Sequence, residues 1–163
     1  MDEFVLMSLR SGDHLTFRSE PWVDAIHGYE GPPLEIGLVS HGLTAHAIYP
    51  AYSAEVERLV VLMREVDENW RGWEGEKRIG EPDRDRLAFA ARHDGQGHIL
   101  LTVFLFEEWS SPSLWSVRAD LLLDVGSARD IAERLNEWQN SIWPTDRRWR
   151  TAGDRHVTFS DAG

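Results

Sequence analysis

The chain has 163 residues and a formal net charge of -11, which comes from 28 acidic and 17 basic residues. This length indicates a single domain that is large enough to bury its own core. The negative charge would repel the phosphates of DNA and RNA and attract a basic protein surface, so nucleic-acid binding is disfavoured.

Cysteine is absent from the chain. Its absence excludes disulfides, thiol nucleophiles and thiolate metal sites, and it favours a reducing compartment. The first residues, Met1 to Met7, begin acidic and do not resemble a signal peptide. No later run approaches the roughly 20 apolar residues that a membrane span needs. We therefore expect a soluble cytoplasmic protein without a membrane contact.

Strands dominate the first half of the chain. Apolar runs bounded by turn residues predict four of them. These strands span residues 4–10, 14–18, 34–39 and 43–49. Residues 20–33 receive no assignment. After Pro50, a capping serine at position 53 and an apolar stripe at helical spacing predict a helix. The stripe consists of Val56, Leu59, Val60, Met63 and Val66.

The second half predicts a three-stranded meander followed by a helix. Alternating apolar residues and the turn at residues 94–97 indicate the strands. They span residues 87–92, 99–106 and 114–125. The final helix covers residues 128–142, and Pro144 ends it.

This order predicts an α+β fold with one antiparallel sheet of about six to seven strands, packed by two helices. The elements follow the order β-rich, helix, three-stranded meander, helix. Nothing in the composition separates a second domain, so residues 1–144 are expected to form one. Residues 145–163 carry several arginines and end in small residues, which predicts a basic, loosely ordered tail.

An aromatic segment follows the first helix and provides the strongest candidate contact. Trp70 and Trp73 lie among glycines and charged residues, as an aromatic anchor lies within a polar rim. The candidate partner-binding residues in this segment are Trp70, Arg71, Trp73, Glu74 and Glu76. We expect Trp73 to be the exposed contact and Trp70 to pack at the end of the helix. The alternative is that both tryptophans close the edge of the core.

The loop predicted after residue 106 supplies three further candidates, Glu107, Glu108 and Trp109. Adjacent carboxylates on an extended chain point to opposite sides, so Glu107 and Glu108 are not expected to share a proton as a catalytic pair does. A solvated loop that takes part in partner binding is the better interpretation.

His93 and His98 flank a tight turn and could share a metal ion with Asp94, leaving an open position for catalysis. Histidines at turns more often bond the loop itself, and the spacing indicates no further ligand. No P-loop, dinucleotide fingerprint or nucleophile elbow occurs in the chain. We therefore expect no cofactor, no bound metal and no enzymatic activity.

Three motifs resemble a family of small actinobacterial proteins of unknown function. They are the run from Trp70 to Glu76, the pattern His93-Asp94-Gly95 with Gly97-His98, and the run from Trp115 to Asp120. The likeness covers roughly residues 43–138. In layout and charge the chain is also similar to WapI-type immunity proteins, which are small, acidic and noncatalytic. This second similarity implies a function class and no residue roles.

Two hypotheses follow. The first is a noncatalytic binding protein of the immunity type, which neutralises a basic toxin or another basic partner through an acidic surface and the aromatic segment. It predicts that Trp73→Ala weakens the complex without unfolding the protein. The second is a structural domain that forms a homodimer through a sheet edge or a loop. A metal-dependent enzyme that uses His93 and His98 ranks below both.

Overall fold

The structure is a computed structural model, and it describes residues 3–19, 32–49, 55–82, 84–107, 115–143 and 160–162. Within these ranges the chain forms two antiparallel sheets and two α-helices. The first sheet is a meander in which sequence neighbours pair in the order β1-β2-β3-β4. Its strands are β1 (Glu3–Met7), β2 (His14–Ser19), β3 (Leu34–Ser40) and β4 (Leu43–Tyr49).

The second sheet has the order β8-β7-β6-β5-β9. Its strands are β5 (Glu76–Ile79), β6 (Leu87–His93), β7 (His98–Glu107), β8 (Trp115–Asp124) and the three-residue β9 (Ser160–Ala162). Helix α1 (Glu55–Glu68) connects the two sheets along the chain, and helix α2 (Ala128–Ile142) follows a 3-10 turn at Val125–Ser127.

The prediction of an α+β fold with antiparallel strands and two helices is confirmed, but the single sheet of six to seven strands is wrong. The strands divide between two sheets, and the meander after α1 has four strands rather than three. Alternation along a strand reports which residues are buried, not which neighbouring strand continues the ladder. Strand β5 was not predicted, because its sequence, Glu-Lys-Arg-Ile, is short and mostly charged.

The core lies where the inner faces of the sheets meet the helices. On β7 the residues Leu101, Val103 and Leu105 are fully buried, as expected from the two-residue period of a strand. All members of the apolar stripe predicted for α1 are buried as well. On α2 the residues Ile131, Leu135 and Trp138 are buried on one side of the helix, and the Trp138 ring lies 6.2 Å from the Phe17 ring of β2.

The two helices run antiparallel and are joined at both ends by polar contacts. Near one end the amide of Gln139 donates to Glu57 at 2.6 Å, and near the other Arg129 contacts Asp67 at 3.0 Å. Neither described helix is long and apolar enough to cross a bilayer. From the segment predicted as a tail, Ser160–Ala162 pairs with β5, and residues 144–159 lie outside the described residues.

Candidate functional site

Residues 69–75, here called the aromatic loop, carry the chain from α1 to β5. Asn69 ends the helix, and its amide nitrogen donates to the backbone oxygen of Glu65 at 2.8 Å and to its carboxylate at 3.1 Å. The backbone N–H of Gly72 then donates to the oxygen of Asn69 at 2.9 Å. The chain therefore leaves the helix in a hydrogen-bonded turn.

Gly72 is required at its position for two reasons. Its φ is +115°, which lies in the region that disfavours residues with a Cβ. A Cβ at this position would also lie 3.1 Å from Nδ1 of His93, tighter than nearly all contacts of this kind. The loop backbone thus lies directly against the imidazole at the end of β6.

Trp73 anchors the loop to the second sheet. Its indole meets the His93 ring edge to face, with ring centroids 5.5 Å apart, and it packs against the core cluster. The ammonium of Lys77 lies 5.5 Å from the indole centroid and bonds the Glu65 carboxylate at 2.9 Å. These contacts connect the loop to α1, β5 and β6 at once.

Trp70 is the exposed tryptophan of the loop, with 55% of its surface accessible. The Arg71 guanidinium lies over its ring at 5.1 Å, an arrangement that favours a fixed orientation for the indole. Glu68 and Glu74, on either side along the chain, are exposed too. The expectation that Trp73 is exposed and Trp70 packs is therefore wrong, because the space above β5 and β6 is filled by the second tryptophan.

Glu76 lies in strand β5 rather than in a loop, and only 6% of it is accessible. Its carboxylate bonds Arg78 and also accepts from Arg92, directly across the β5–β6 ladder, at 3.0 Å. The negative charge of Glu76 is therefore paired with two arginines of the second sheet.

Of the three candidates after residue 106, only Glu107 is described, at the far end of the same sheet. Glu107 is the last residue of β7 and pairs with Trp115 of β8. Glu108 and Trp109 lie outside the described residues.

His93 and His98 do not converge. His93 pairs with Ile99 in the β6–β7 register, so their side chains share the core-facing side, and His98 belongs to the opposite face. The Nδ1 of His93 accepts the N–H of Gly95 at 2.9 Å, which places its proton on Nε2. Among the described residues, no three histidine, aspartate or glutamate side chains are grouped as a metal site.

Asp94 organises the β6–β7 turn. Its carboxylate accepts the backbone N–H of Gln96 at 2.7 Å and that of His98 at 3.0 Å, and it contacts the His98 ring at 2.8 Å. These bonds, led by the one from the His98 backbone, lower the pKa of Asp94 to about 2. The motif that suggested a metal is explained here as turn geometry.

Sequence reasoning missed a buried ionisable group at the start of α1. Glu55 is 6% accessible, and its Oε2 has no hydrogen-bond partner among the described residues. Burial raises its pKa, while nearby Arg58 and Arg86 act in the opposite direction. Tyr49 lies close by, donating to the backbone oxygen of Arg86 at 3.0 Å, and burial raises its pKa too.

Nothing local marks Glu55 as buried. Acids in the first turn of a helix are ordinarily exposed, where they interact with the positive end of the helix dipole. Contacts brought by β4 and by the start of β6 decide its burial, and these lie outside the reach of a sequence pattern.

The fold and the loop define a small α+β domain with two antiparallel sheets and an anchored loop that displays a tryptophan. The chain belongs to the family of unknown function DUF6228, which it matches over residues 11–142. This confirms the expected membership of a family of unknown function. No curated protein and no solved structure matches the chain.

Proposed function

We propose that this protein is a noncatalytic binding module that holds a basic protein partner at the exposed side of the aromatic loop. The observation that carries the proposal is the arrangement of the two tryptophans. Trp73 is fixed against the His93 ring, whereas Trp70 is held out with 55% of its surface accessible. An exposed indole that is already ordered loses little side-chain entropy when a partner covers it.

The surroundings of Trp70 suit an interface hot spot. Tryptophan and arginine are enriched among the residues that carry most of the binding energy, and here Arg71 stacks on Trp70. Exposed carboxylates at Glu68 and Glu74 flank the pair along the chain. A basic partner would gain from these carboxylates and from the overall charge of -11.

Neutralisation of a toxin, as by an immunity protein, is the form of this function that we propose, and the small size and acidic charge of the chain support it. The proposal places the protein in the cytoplasm, in keeping with its lack of cysteines. Inhibitors of this kind act by covering a surface, so the proposal requires no catalytic residue in the chain.

The test is binding to the product of the adjacent gene and to proteins captured from the native host, measured by calorimetry for each purified candidate. We expect Trp70→Ala to raise the dissociation constant at least tenfold, because a central tryptophan contributes on the order of 2 kcal/mol or more to such interfaces. Leu9→Ala is the matched control. Leu9 is 57% accessible but lies in the β1–β2 turn.

Salt provides an independent criterion. Exposed charges are screened within about 10 Å at 0.1 M ionic strength, so added salt should weaken the complex mainly by slowing association. A complex that is indifferent to salt, or one that Leu9→Ala and Trp70→Ala weaken equally, would contradict the proposal. Far-UV circular dichroism of both variants is the control that separates weaker binding from unfolding.

A further inference from the structure

Strand β4 forms an edge of the first sheet. In the described residues it pairs with β3 alone, through a continuous register from Leu34↔Tyr49 to Ser40↔Leu43. Its sequence, Leu-Thr-Ala-His-Ala-Ile-Tyr, contains no charged residue, proline or glycine. Natural edge strands are usually protected by a charge, a proline or a bulge, because a regular edge is a template for another strand. Strand β4 has none of these devices.

The backbone groups that point away from β3 can be identified from the turn. His41 and Gly42 both have positive φ, which defines a two-residue type I′ turn. Such a turn bonds the flanking pair, Ser40 and Leu43, to each other. Because bonding alternates along an antiparallel ladder, the N–H and C=O groups of Thr44, His46 and Ile48 face the open edge.

The same three residues point their side chains to the outer face of the sheet. All three are exposed, and Ile48 reaches 64%. Burial alternates along the strand, and Ala45 and Ala47 form its core side. The open edge therefore combines regular hydrogen-bonding groups with an exposed β-branched side chain.

We infer that β4 pairs antiparallel with β4 of a second copy of this chain about a two-fold axis at His46. In this register Thr44 lies opposite Ile48 of the other copy, and each of the three outward residues both donates and accepts a backbone bond. If the axis lay at Ala45 or Ala47 instead, one of the three outward residues would have no residue of the other β4 strand opposite it. The register with the axis at His46 therefore forms the most backbone bonds.

The inferred dimer joins two four-stranded sheets into one continuous sheet. The pairs of Thr44 with Ile48 place β-branched side chains side by side on the outer face, which stabilises antiparallel strands. A second copy fits better than an unrelated strand because a two-fold axis makes the edge complementary to itself. This surface is separate from the aromatic loop, so the inference does not depend on the proposed partner.

Cysteine cross-linking tests the register, and the chain has no native cysteine to interfere. A bonded antiparallel pair has Cα atoms about 5.5 Å apart, within the range of about 4.4–6.8 Å that a disulfide spans. His46→Cys should therefore oxidise to a covalent dimer. Thr44→Cys alone should not, since the two copies of that residue are separated by about 13 Å along the strands. A mixture of Thr44→Cys and Ile48→Cys should cross-link.

Sedimentation velocity over a dilution series tests whether the unmodified protein dimerises. His46→Lys should raise the dimer dissociation constant several-fold, because two ammonium groups would face each other across the axis. Within one copy the new lysine would lie beside Glu35, which His46 contacts at 3.4 Å, so the substitution adds no like-charge contact there. Met7→Lys is the control, since Met7 is 56% accessible but lies on the opposite edge strand, β1.

A monomer mass for the unmodified protein at every concentration would overturn the inference, as would a dimer that His46→Lys leaves unchanged. Efficient cross-linking of Thr44→Cys by itself would overturn the register. Capture of a different protein along β4 by a monomeric chain would also count against a second copy as the occupant.

Discussion

The indole of Trp73 and the imidazole of His93 meet edge to face, with ring centroids 5.5 Å apart. This pair joins the aromatic loop to the end of β6 and lies under the loop backbone at Gly72. It also separates the roles of the two tryptophans, because the ring that fills this space cannot be displayed to a partner. The stability and the presentation of the loop therefore depend on different residues.

Trp73→Ala should lower the free energy of unfolding by about 2–4 kcal/mol, since it removes a large ring that packs against the core. Trp70→Ala should change it by less than about 0.5 kcal/mol, because that ring is mostly exposed. Urea denaturation followed by circular dichroism measures both. Equal losses in the two variants would contradict the assigned roles.

Gly72→Ala should destabilise the protein by roughly 2–3 kcal/mol through a positive φ and a close contact with His93. Gly12→Ala is the matched control, because Gly12 has a φ of +87° but open space where its Cβ would lie. The control should lose only about 1 kcal/mol. If the contact is responsible for the difference, replacing His93 with alanine in the Gly72→Ala background should recover part of it.

Glu55→Gln should raise the free energy of unfolding at neutral pH. Burial raises the pKa of Glu55 above its ordinary value of 4.5, so the folded state binds its proton more tightly than the unfolded state does. The stabilisation from this proton is complete below pH 4.5 and is lost as the pH rises through the folded-state pKa. Glutamine mimics the neutral acid, so in Glu55→Gln the free energy of unfolding should no longer fall over this pH range.

Urea denaturation at a series of pH values measures this effect. Glu68→Gln, on an exposed carboxylate at the other end of α1, is the control and should retain the decline with pH. If Glu55→Gln proves less stable than the parent protein at neutral pH, the carboxylate is ionised and bonded, and the interpretation of Glu55 as a strained buried acid is wrong.

The carboxyl group of Asp94 should titrate with a midpoint near pH 2 in a carbon-detected NMR experiment. A lowered pKa means that its bonds stabilise the folded state above the unfolded value of 3.8, and that this contribution is lost as the pH falls through about 2. Asp94→Ala should therefore destabilise the turn. Asp94→Asn should cost less, because its amide oxygen still accepts from the two backbone N–H groups.

Local patterns predicted most of the elements correctly. The apolar stripe of α1 and the alternation in β7 and β8 depend only on neighbours in the chain, and the structure contains both helices and all the predicted strands. The turn at Asp94 was predicted from the sequence for the same reason. Prediction failed for β5, where the charged side chains of Glu76 and Arg78 form a ladder with Arg92 that no apolar pattern reveals.

In the candidate site, too, local sequence predicted some features correctly and missed others. The aromatic loop was found by its composition, but the prediction of which tryptophan is exposed was reversed. His93 and His98 lie close in sequence, yet a register that pairs His93 with Ile99 puts them on opposite faces of the sheet. His98 is only one residue away from Ile99, the partner of His93, and one residue along a strand changes the face on which a side chain lies.

The sequence by itself determined both helices, seven of the nine strands in the described residues, the antiparallel α+β class and the position of the aromatic loop, because these follow from residue periodicity and turn chemistry over short distances. The tertiary structure alone decided the division into two sheets, the burial of Glu55, the packing of Trp73 against the core and the exposure of Trp70. Each of these depends on which distant surface packs against a residue, and a pattern of neighbours along the chain carries no record of that.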